Sequence, residues 1–450
     1  MTDLLRLDFD GRDGQNSRYP EWRQLNPRPG SSARVLDVGE LPEVIRYARG
    51  CGAVPGDLTE LKSQGGCVEG VMAMLAAASS AWARLRDVAD SAPPGRDRVV
   101  DATRAAAILV VIVWHWAGSV THRDADGTLV MPNPIADVPG GWLATWVLQV
   151  MPAFFVVGGF ANLASWNSVL RSGGGAGEFL RRRMARLLLP VAVWVAVWMT
   201  AEVVAAVVLP GHRWVWEWFP GVLTPLWFVV AYIAVTATVP LTARLHRRFG
   251  HGAVLGMAAG ITILDVLARG VGLLWAAWIS AGLVWLFAHQ LGYLWRTNGS
   301  ALTTGRRAGI AVAGLSGLVL LTTLGYPRSM VALPGDTESN MFPPNATIAA
   351  LAVFQLGLIL LAAPLAAGLL QRRWVWRAVV AVNATALTLF VWHMTAYAGF
   401  LWIFEGLGGR LGIEPTLHWW LQRPLWLLGP ALVLAALVAL VGRAETPTLR

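Results

Sequence analysis

Cysteine, lysine and charged residues in general are scarce in this chain of 450 residues. The two cysteines, Cys51 and Cys67, form no CxxC pair and have no histidine nearby at metal-ligand spacing, so they support neither a disulfide framework nor a zinc site. Lys62 is the only lysine. Charged residues make up 14% of the chain and hydrophobic residues 55%, whereas soluble domains carry about 25% charged residues. The composition therefore indicates a membrane protein.

The formal net charge of +9 does not indicate a nucleic-acid-binding protein. A basic balance can point to such a partner, but here the arginines cluster in short loops between apolar stretches. We therefore expect the lipid bilayer, and no nucleic acid, among the partners of this chain.

Residues 1–95 differ in composition from the rest of the chain. They are polar and interrupted by proline and glycine, and their first residues lack the apolar core of a signal peptide. We expect the later helices to direct membrane insertion. The predicted domains are an N-terminal cytoplasmic extension of unassigned function, residues 1–95, and a transmembrane domain, residues 96–450.

Apolar runs long enough to cross a bilayer follow one another from residue 99 onward. Ten are predicted: 99–120, 141–164, 187–209, 223–243, 252–268, 272–294, 307–325, 346–370, 378–403 and 424–441. Alternate loops are consistently richer in arginine, and such loops face the cytoplasm. The expected fold is an all-α, multi-pass bundle of about ten transmembrane helices in the inner (plasma) membrane, with both termini in the cytoplasm.

The first span carries an unusual set of ionisable residues, Asp101, Arg104 and His115. Arg104 and His115 are eleven residues apart, which places them on one helix face about 16 Å apart along the axis. Asp101 lies one turn before Arg104, so the two can pair. Ionisable groups inside a membrane usually mark functional sites. An arginine can bind a phosphate, and a neutral histidine can take a proton from a hydroxyl.

Both residues also have plainer interpretations. Arg104 can anchor the helix at the interface, and His115 can bond a neighbouring carbonyl. A second group, Arg182, Arg183 and Arg186, opens the third span. Such a cluster can hold a polyphosphate, or it can simply follow the positive-inside rule.

Five motifs occur in a particular order along the membrane region. They are D-x-x-R-A overlapping R-x10-H in the first span, MPAFFVVGGF at 151–160, R-x-x-R at Arg183 and Arg186, PLWFVVAYI at 225–233, and TLFVWHMTAY at 388–397. In this order they resemble the acyltransferase 3 family of bacterial integral membrane O-acyltransferases, over roughly residues 96–441. Gly158 departs from the pattern, since it stands where the family often has serine.

The resemblance implies transfer of an acyl group, usually acetyl, from cytoplasmic acyl-CoA to a hydroxyl of a carbohydrate or another envelope or secreted molecule. It implies that His115 is the catalytic base and that Arg104 binds the donor or lines the pore. The same resemblance makes Arg183 and Arg186, together with Arg182, candidates for binding the CoA phosphates. Acyl-CoA would be a donor substrate, with no permanently bound cofactor and no metal.

Several other polar or aromatic residues in or near the spans have two interpretations each. His393 is a candidate for a second proton-handling group, or a structural histidine bonded to a helix carbonyl. Asp265 and Arg269, one turn apart, are expected to neutralise each other. Trp214, Trp216 and Trp218 are expected in an outer loop, as an aromatic belt or as a sugar-stacking surface.

A proton-coupled membrane transporter or exporter is the main alternative, because polar groups in the spans can line a transport pathway. Many transporters contain internal repeats, yet the R-x10-H pattern occurs only once in this sequence. A catalytically inactive member that binds a partner through residues 1–95 is a second alternative, and the intact pair of Arg104 and His115 argues against it.

Overall fold

The computed structural model describes residues 96–136, 138–331, 338–412 and 416–441. The predicted N-terminal extension, residues 1–95, lies outside these ranges, as do Cys51 and Cys67.

Helices make up most of the described chain. They are α1 Arg98–Ala117, α2 Trp142–Leu148, α3 Met151–Arg171, α4 Ala176–Val208, α5 Val215–Trp218, α6 Thr224–Ala237, α7 Val239–Phe249, α8 His251–Gly270, α9 Leu274–Asn298, α10 Thr304–Thr323, α11 Ala346–Leu369, α12 Arg373–Ala384, α13 Ala386–Gly406, α14 Leu417–Leu421 and α15 Arg423–Val441. Short 3-10 helices cover Pro134–Ala136, Pro220–Leu223 and Gly299–Ala301. Strand β1, His122–Arg123, pairs antiparallel with β2, Leu129–Val130.

Nine helical segments of the described residues are long and apolar enough to cross a membrane. They coincide with nine of the ten predicted spans. The remaining prediction, 307–325, falls on α10, which has 20 residues but begins beside Arg306 and Arg307 and is not one of the nine. The total of ten spans and the cytoplasmic location of the termini stay predictions.

Two of the predicted spans are broken helices. Span 141–164 consists of α2 and α3, with Gln149 and Val150 between them and Pro152 in the first turn of α3. Span 223–243 is divided at Thr238. Pro240 follows in the first turn of α7, where a missing backbone N–H leaves no helical hydrogen bond unmade.

Glycines allow α3 and α9 to cross with their backbones in contact. A Cβ atom on Gly159 would lie 1.9 Å from the carbonyl oxygen of His289, and one on Gly292 would lie 2.0 Å from that of Val156. Small residues at such crossings are a common way to pack helices in membranes. This crossing sets the position of α3, which supplies one wall of the site described below.

Asp265 on α8 is buried and bonded to groups of other segments rather than to Arg269. One of its carboxylate oxygens accepts a hydrogen bond from Ser280 Oγ at 2.6 Å, and the other accepts from Tyr326 Oη at 3.3 Å and from the amide of Ala346 at 2.6 Å. Because Ala346 begins α11, this carboxylate satisfies a free amide at a helix N-terminus. The expected ion pair between Asp265 and Arg269 is wrong for the described residues, since Arg269 pairs with Glu338 at 2.8 Å.

Candidate active site

A cavity of about 490 Å³ is lined by residues of α1, α3, α4, α6, α9, α12 and α13. Its positively charged lining residues are Arg96, Arg104, Arg183, Arg186 and Arg296, and its carboxylates are Asp97 and Asp101. The cavity wall therefore carries an excess of positive charge.

The predicted pair of Asp101 and Arg104 is present at the cavity. Arg104 Nη1 lies 3.6 Å from Asp101 Oδ1 and donates to Asn383 Oδ1 at 3.5 Å. Asp101 also pairs with Arg96. The amide nitrogen of Asn383 donates in turn to the backbone carbonyl of Asp101 at 2.9 Å. Contacts from α12 and from the start of α1 thus hold the Arg104 side chain against the cavity.

The arginines near the start of α4 point in two different directions. Arg183 and Arg186 line the cavity. Arg182 is not among the lining residues, and its guanidinium pairs with Glu178 one turn earlier on the same helix. Successive helical residues point about 100° apart, because a turn holds 3.6 residues. The structure therefore does not place Arg182 with the proposed phosphate-binding group.

Arg183 keeps unused hydrogen-bonding capacity at the cavity. Its Nη2 atom donates to the carbonyl of Ala161 at 3.3 Å. Its Nε atom is buried and finds no partner among the described residues. A cation with spare donors beside a cavity is able to bind an anion there.

His115 and His393 meet one another in the middle of the bundle. His115 Nδ1 and His393 Nε2 are 2.9 Å apart, and the ring planes differ by 14°. His393 is fully buried, and its Nδ1 atom lies 2.6 Å from the carbonyl oxygen of Phe390. Of the two roles that the sequence allows for His393, the structure shows the bond to a helix carbonyl. A proton-handling role for His393 stays a prediction.

These two hydrogen bonds determine where the protons lie in a neutral histidine pair. A carbonyl oxygen only accepts, so His393 Nδ1 must donate to Phe390, and His393 Nε2 must then accept. His115 therefore donates through Nδ1 and keeps an unprotonated Nε2 atom. No hydrogen bond to this Nε2 atom occurs within the described ranges, so it remains able to accept a proton.

Neighbouring contacts hold α1 and α13 in register around the pair. The indole nitrogen of Trp116 donates to the carbonyl of His393 at 3.0 Å. Beyond the end of α1, the hydroxyl of Thr121 lies 2.6 Å from that of Tyr397 on α13. These bonds restrict how far His115 and His393 can move relative to each other.

Three phenylalanines line the cavity, and one of them contacts the histidine pair. Phe154, Phe228 and Phe390 line the cavity, and the ring of Phe390 also lies 5.7 Å from that of His393. Of the described residues that line the cavity, none is a histidine. Phe390 therefore borders both the cavity and the histidine pair.

Gly158 lies directly under Tyr232, another cavity residue. A Cβ atom at Gly158 would lie 2.9 Å from Cε2 of Tyr232 and 3.1 Å from its hydroxyl oxygen. The space that a side chain at position 158 would need is therefore filled by a tyrosine from α6, which gives a physical reason for the glycine.

Some lining residues were not predicted as site residues: Arg96, Arg296, Asn383, Tyr232 and the three phenylalanines. Arg96 and Arg296 stand just outside apolar runs, where the positive-inside rule already accounts for arginine. The family-like motifs contain four aromatic residues of the lining, and these motifs could have identified them as site residues: Phe154, Phe228, Tyr232 and Phe390.

The tryptophans that follow α4 form stacks at the end of this helix, away from the cavity. Trp214 stacks on Trp216 with centroids 4.7 Å apart, and Trp218 stacks on Trp402 at 5.8 Å. Their use in sugar binding stays a prediction. Nowhere in the described part of the chain do three or more His, Cys, Asp or Glu residues group in a way that could hold a metal ion.

Comparison with curated proteins and with solved structures gives no significant match. The family model described as an acyltransferase domain does match, over residues 97–443. This range contains the histidine pair, the arginines of α4 and all the helices from α1 to α15. The chain belongs to the acyltransferase 3 family.

Proposed function

We propose that this protein is a membrane O-acyltransferase that moves an acyl group, acetyl above all, from acyl-CoA to a hydroxyl of a carbohydrate or another envelope or secreted molecule. One observation carries the proposal. A histidine pair with a free basic nitrogen on His115 lies next to a cavity lined by five arginines. Acyl transfer from CoA needs both parts, a base for the hydroxyl and cations for the donor phosphates.

The donor phosphates bind at the arginines. Guanidinium groups bind phosphate oxygens through paired, charge-assisted hydrogen bonds. Arg183 and Arg186 are the principal candidates, because both line the cavity and Arg183 has a buried Nε atom without a partner among the described residues. Arg104 also lines the cavity, and Asp101 and Asn383 orient its side chain. In this proposal the cavity faces the cytoplasm of a plasma-membrane protein, where acyl-CoA is found.

His115 acts as the general base. Its Nε2 atom takes the proton of the acceptor hydroxyl while the hydroxyl oxygen attacks the thioester carbonyl carbon. A C–O bond forms, the C–S bond breaks, and the CoA sulfur leaves with the proton returned by the imidazolium of His115. The products are an ester and free CoA thiol. The reaction is therefore balanced without an oxidant, a reductant or a metal.

His393 acts as a positioning residue in this mechanism. Its Nδ1–H donates to the Phe390 carbonyl, which makes its Nε2 the acceptor for His115. The bond keeps the proton of neutral His115 on Nδ1 and the lone pair on Nε2. A second ring nitrogen held by such a bond is a common way to set the reactive tautomer of a histidine.

The test uses membranes that carry the wild-type chain, His115→Ala or His418→Ala. Radiolabelled acetyl-CoA is added, and label is followed into hydroxylamine-sensitive esters of the envelope fraction. We expect transfer by the wild type and by His418→Ala, because His418 is an exposed histidine of α14, outside the cavity lining. His115→Ala should insert into the membrane and transfer no label. Equal transfer by His115→Ala would refute the role of His115, and transfer by none of the three would refute the proposed function with this donor.

A further inference from the structure

We propose that Phe154, Phe228 and Phe390, which we call the phenylalanine wall, set an upper limit on the length of the acyl group that this enzyme transfers. The inference rests on the proposed function, because it concerns the donor of the same reaction. It commits to a short acyl group, acetyl in preference to butyryl.

The wall is a continuous layer built from three helices. The rings of Phe154 on α3 and Phe228 on α6 have centroids 4.9 Å apart and are nearly perpendicular. The ring of Phe228 lies 4.8 Å from that of Phe390 on α13. All three residues are buried, with at most 9% of their surface exposed. Phe228 is central, because it contacts both of the other rings.

The wall lines the arginine-rich cavity and reaches the histidine pair through Phe390. On α1, Ile108 also lines the cavity, and it precedes His115 by seven residues. Seven helical residues correspond to about 10 Å. A donor held by the arginines must therefore bring its thioester into the layer that the phenylalanines occupy.

Dense packing of the wall limits the room available for the acyl group. Protein interiors are packed like organic crystals, so a group can enter only where a side chain moves aside. Turning one phenyl ring makes room for a compact group. A longer chain must displace a second ring as well. In apolar pockets, one methylene more or less changes enzyme preference by about 10- to 200-fold.

The experiment compares acetyl-CoA with butyryl-CoA as competing donors for the purified full-length protein. The readout is the ratio of kcat/KM for the two donors, which does not depend on the fraction of folded enzyme. We expect the wild type to prefer acetyl-CoA. Phe228→Ala should shift the ratio toward butyryl-CoA by about tenfold or more, because it opens the centre of the wall. Phe228→Leu should shift it less, in the same direction.

Phe390→Ala gives a second test from another helix. The ratio should move in the same direction as for Phe228→Ala, with a lower kcat for both donors because Phe390 also contacts His393. The matched control is Phe400→Ala. Phe400 lies on the same helix, is equally buried, and packs against Phe404 and Trp426 away from the cavity. Its substitution should leave the donor ratio within twofold of the wild-type value.

An unchanged ratio in both Phe228→Ala and Phe390→Ala would overturn the inference and leave the proposed function standing. A wild type that uses butyryl-CoA as well as acetyl-CoA would do the same. Transfer of neither acyl group by the wild type would overturn the proposed function together with the inference.

Discussion

Two buried polar clusters in this bundle, Asp265 with its partners and the His115–His393 pair, differ in how fully their hydrogen-bonding atoms are used. Both carboxylate oxygens of Asp265 accept hydrogen bonds from donors on other segments. In the histidine pair, three ring nitrogens are bonded, and Nε2 of His115 has no hydrogen bond among the described residues. The first cluster is complete, whereas the second has capacity for one more partner.

The same contrast separates the arginines of the two regions. Arg269 pairs with Glu338, donates to the carbonyl of Gly325 and stacks over Tyr326. Arg183 makes one bond to a carbonyl and has a buried Nε atom with no partner among the described residues. An ionisable group within a membrane bundle therefore does not by itself mark a site. A buried polar atom without a hydrogen-bond partner beside a cavity does mark a functional site, because leaving such an atom unpaired costs free energy.

The largest effect in this comparison should come from His115→Gln. The glutamine amide can still donate to His393, but it cannot accept a proton from a hydroxyl at neutral pH. Ester formation should fall about 10²- to 10⁴-fold, which is the usual contribution of a general base. The measurement is the rate of labelled ester formation per amount of folded protein in the membrane. A rate within tenfold of the wild-type rate would contradict the assignment of His115.

The next effect should come from Arg183→Ala combined with Arg186→Ala. Hydrogen bonds to charged groups contribute about 1.5–3 kcal/mol each, so KM for acyl-CoA should rise about 10-fold or more. Titration of the initial rate with acyl-CoA measures this directly. Arg182→Ala is the control, because Arg182 pairs with Glu178 and does not line the cavity. A similar rise in KM for the control would show that general surface charge, and not the cavity, attracts the donor.

His393→Leu should lower kcat about 10- to 100-fold, the range found when a group that orients a metal-ligating histidine is removed. KM for acyl-CoA should stay near its wild-type value, since His393 does not line the cavity. His393→Gln should recover part of the loss, because its amide oxygen can accept the Nδ1–H of His115. Equal losses of kcat in both variants would argue that position 393 serves packing alone.

Asp265→Ala should have the smallest effect on catalysis and a clear one on stability. Alanine has no acceptor oxygen, so the groups now bonded to the carboxylate lose this partner, at a cost of about 1–3 kcal/mol for each group left unpaired. Thermal unfolding in detergent should occur at a lower temperature, while kcat and KM per folded molecule stay unchanged. A selective loss of kcat would remove the distinction between the two clusters.

Much of the fold could be predicted from hydropathy, because apolar runs of sufficient length correspond to nine helical segments within the described part of the chain. The breaks at Gln149 and at Thr238 do not show in hydropathy, since apolar residues surround both. Their sequence signals are Pro152 and Pro240, which lie in the first turns of the helices that follow. The pairing of Asp265 was also missed. Spacing on one helix suggested Arg269, but the partners that satisfy the carboxylate come from α9, Tyr326 and the start of α11.

Part of the candidate site could also be predicted from the sequence. Helical spacing groups Arg183 with Arg186 and Arg104 with His115, and the structure keeps the first two and Arg104 at one cavity. Spacing places Arg182 about 100° from Arg183 around the helix, but it could not show which of the two side chains faces the cavity. It also could not identify Asn383 or Arg296, whose neighbours at the cavity come from other helices.

The sequence by itself determined which segments are apolar enough to enter a membrane, and it placed a histidine and an arginine along one helix face. These properties depend only on composition and on the geometry of a single helix. The tertiary structure alone decided that His115 meets His393, that Phe154, Phe228 and Phe390 form one layer, and that Arg182 points away from the cavity. The reason is physical: these contacts join residues far apart in the chain, and they exist only after the helices have packed.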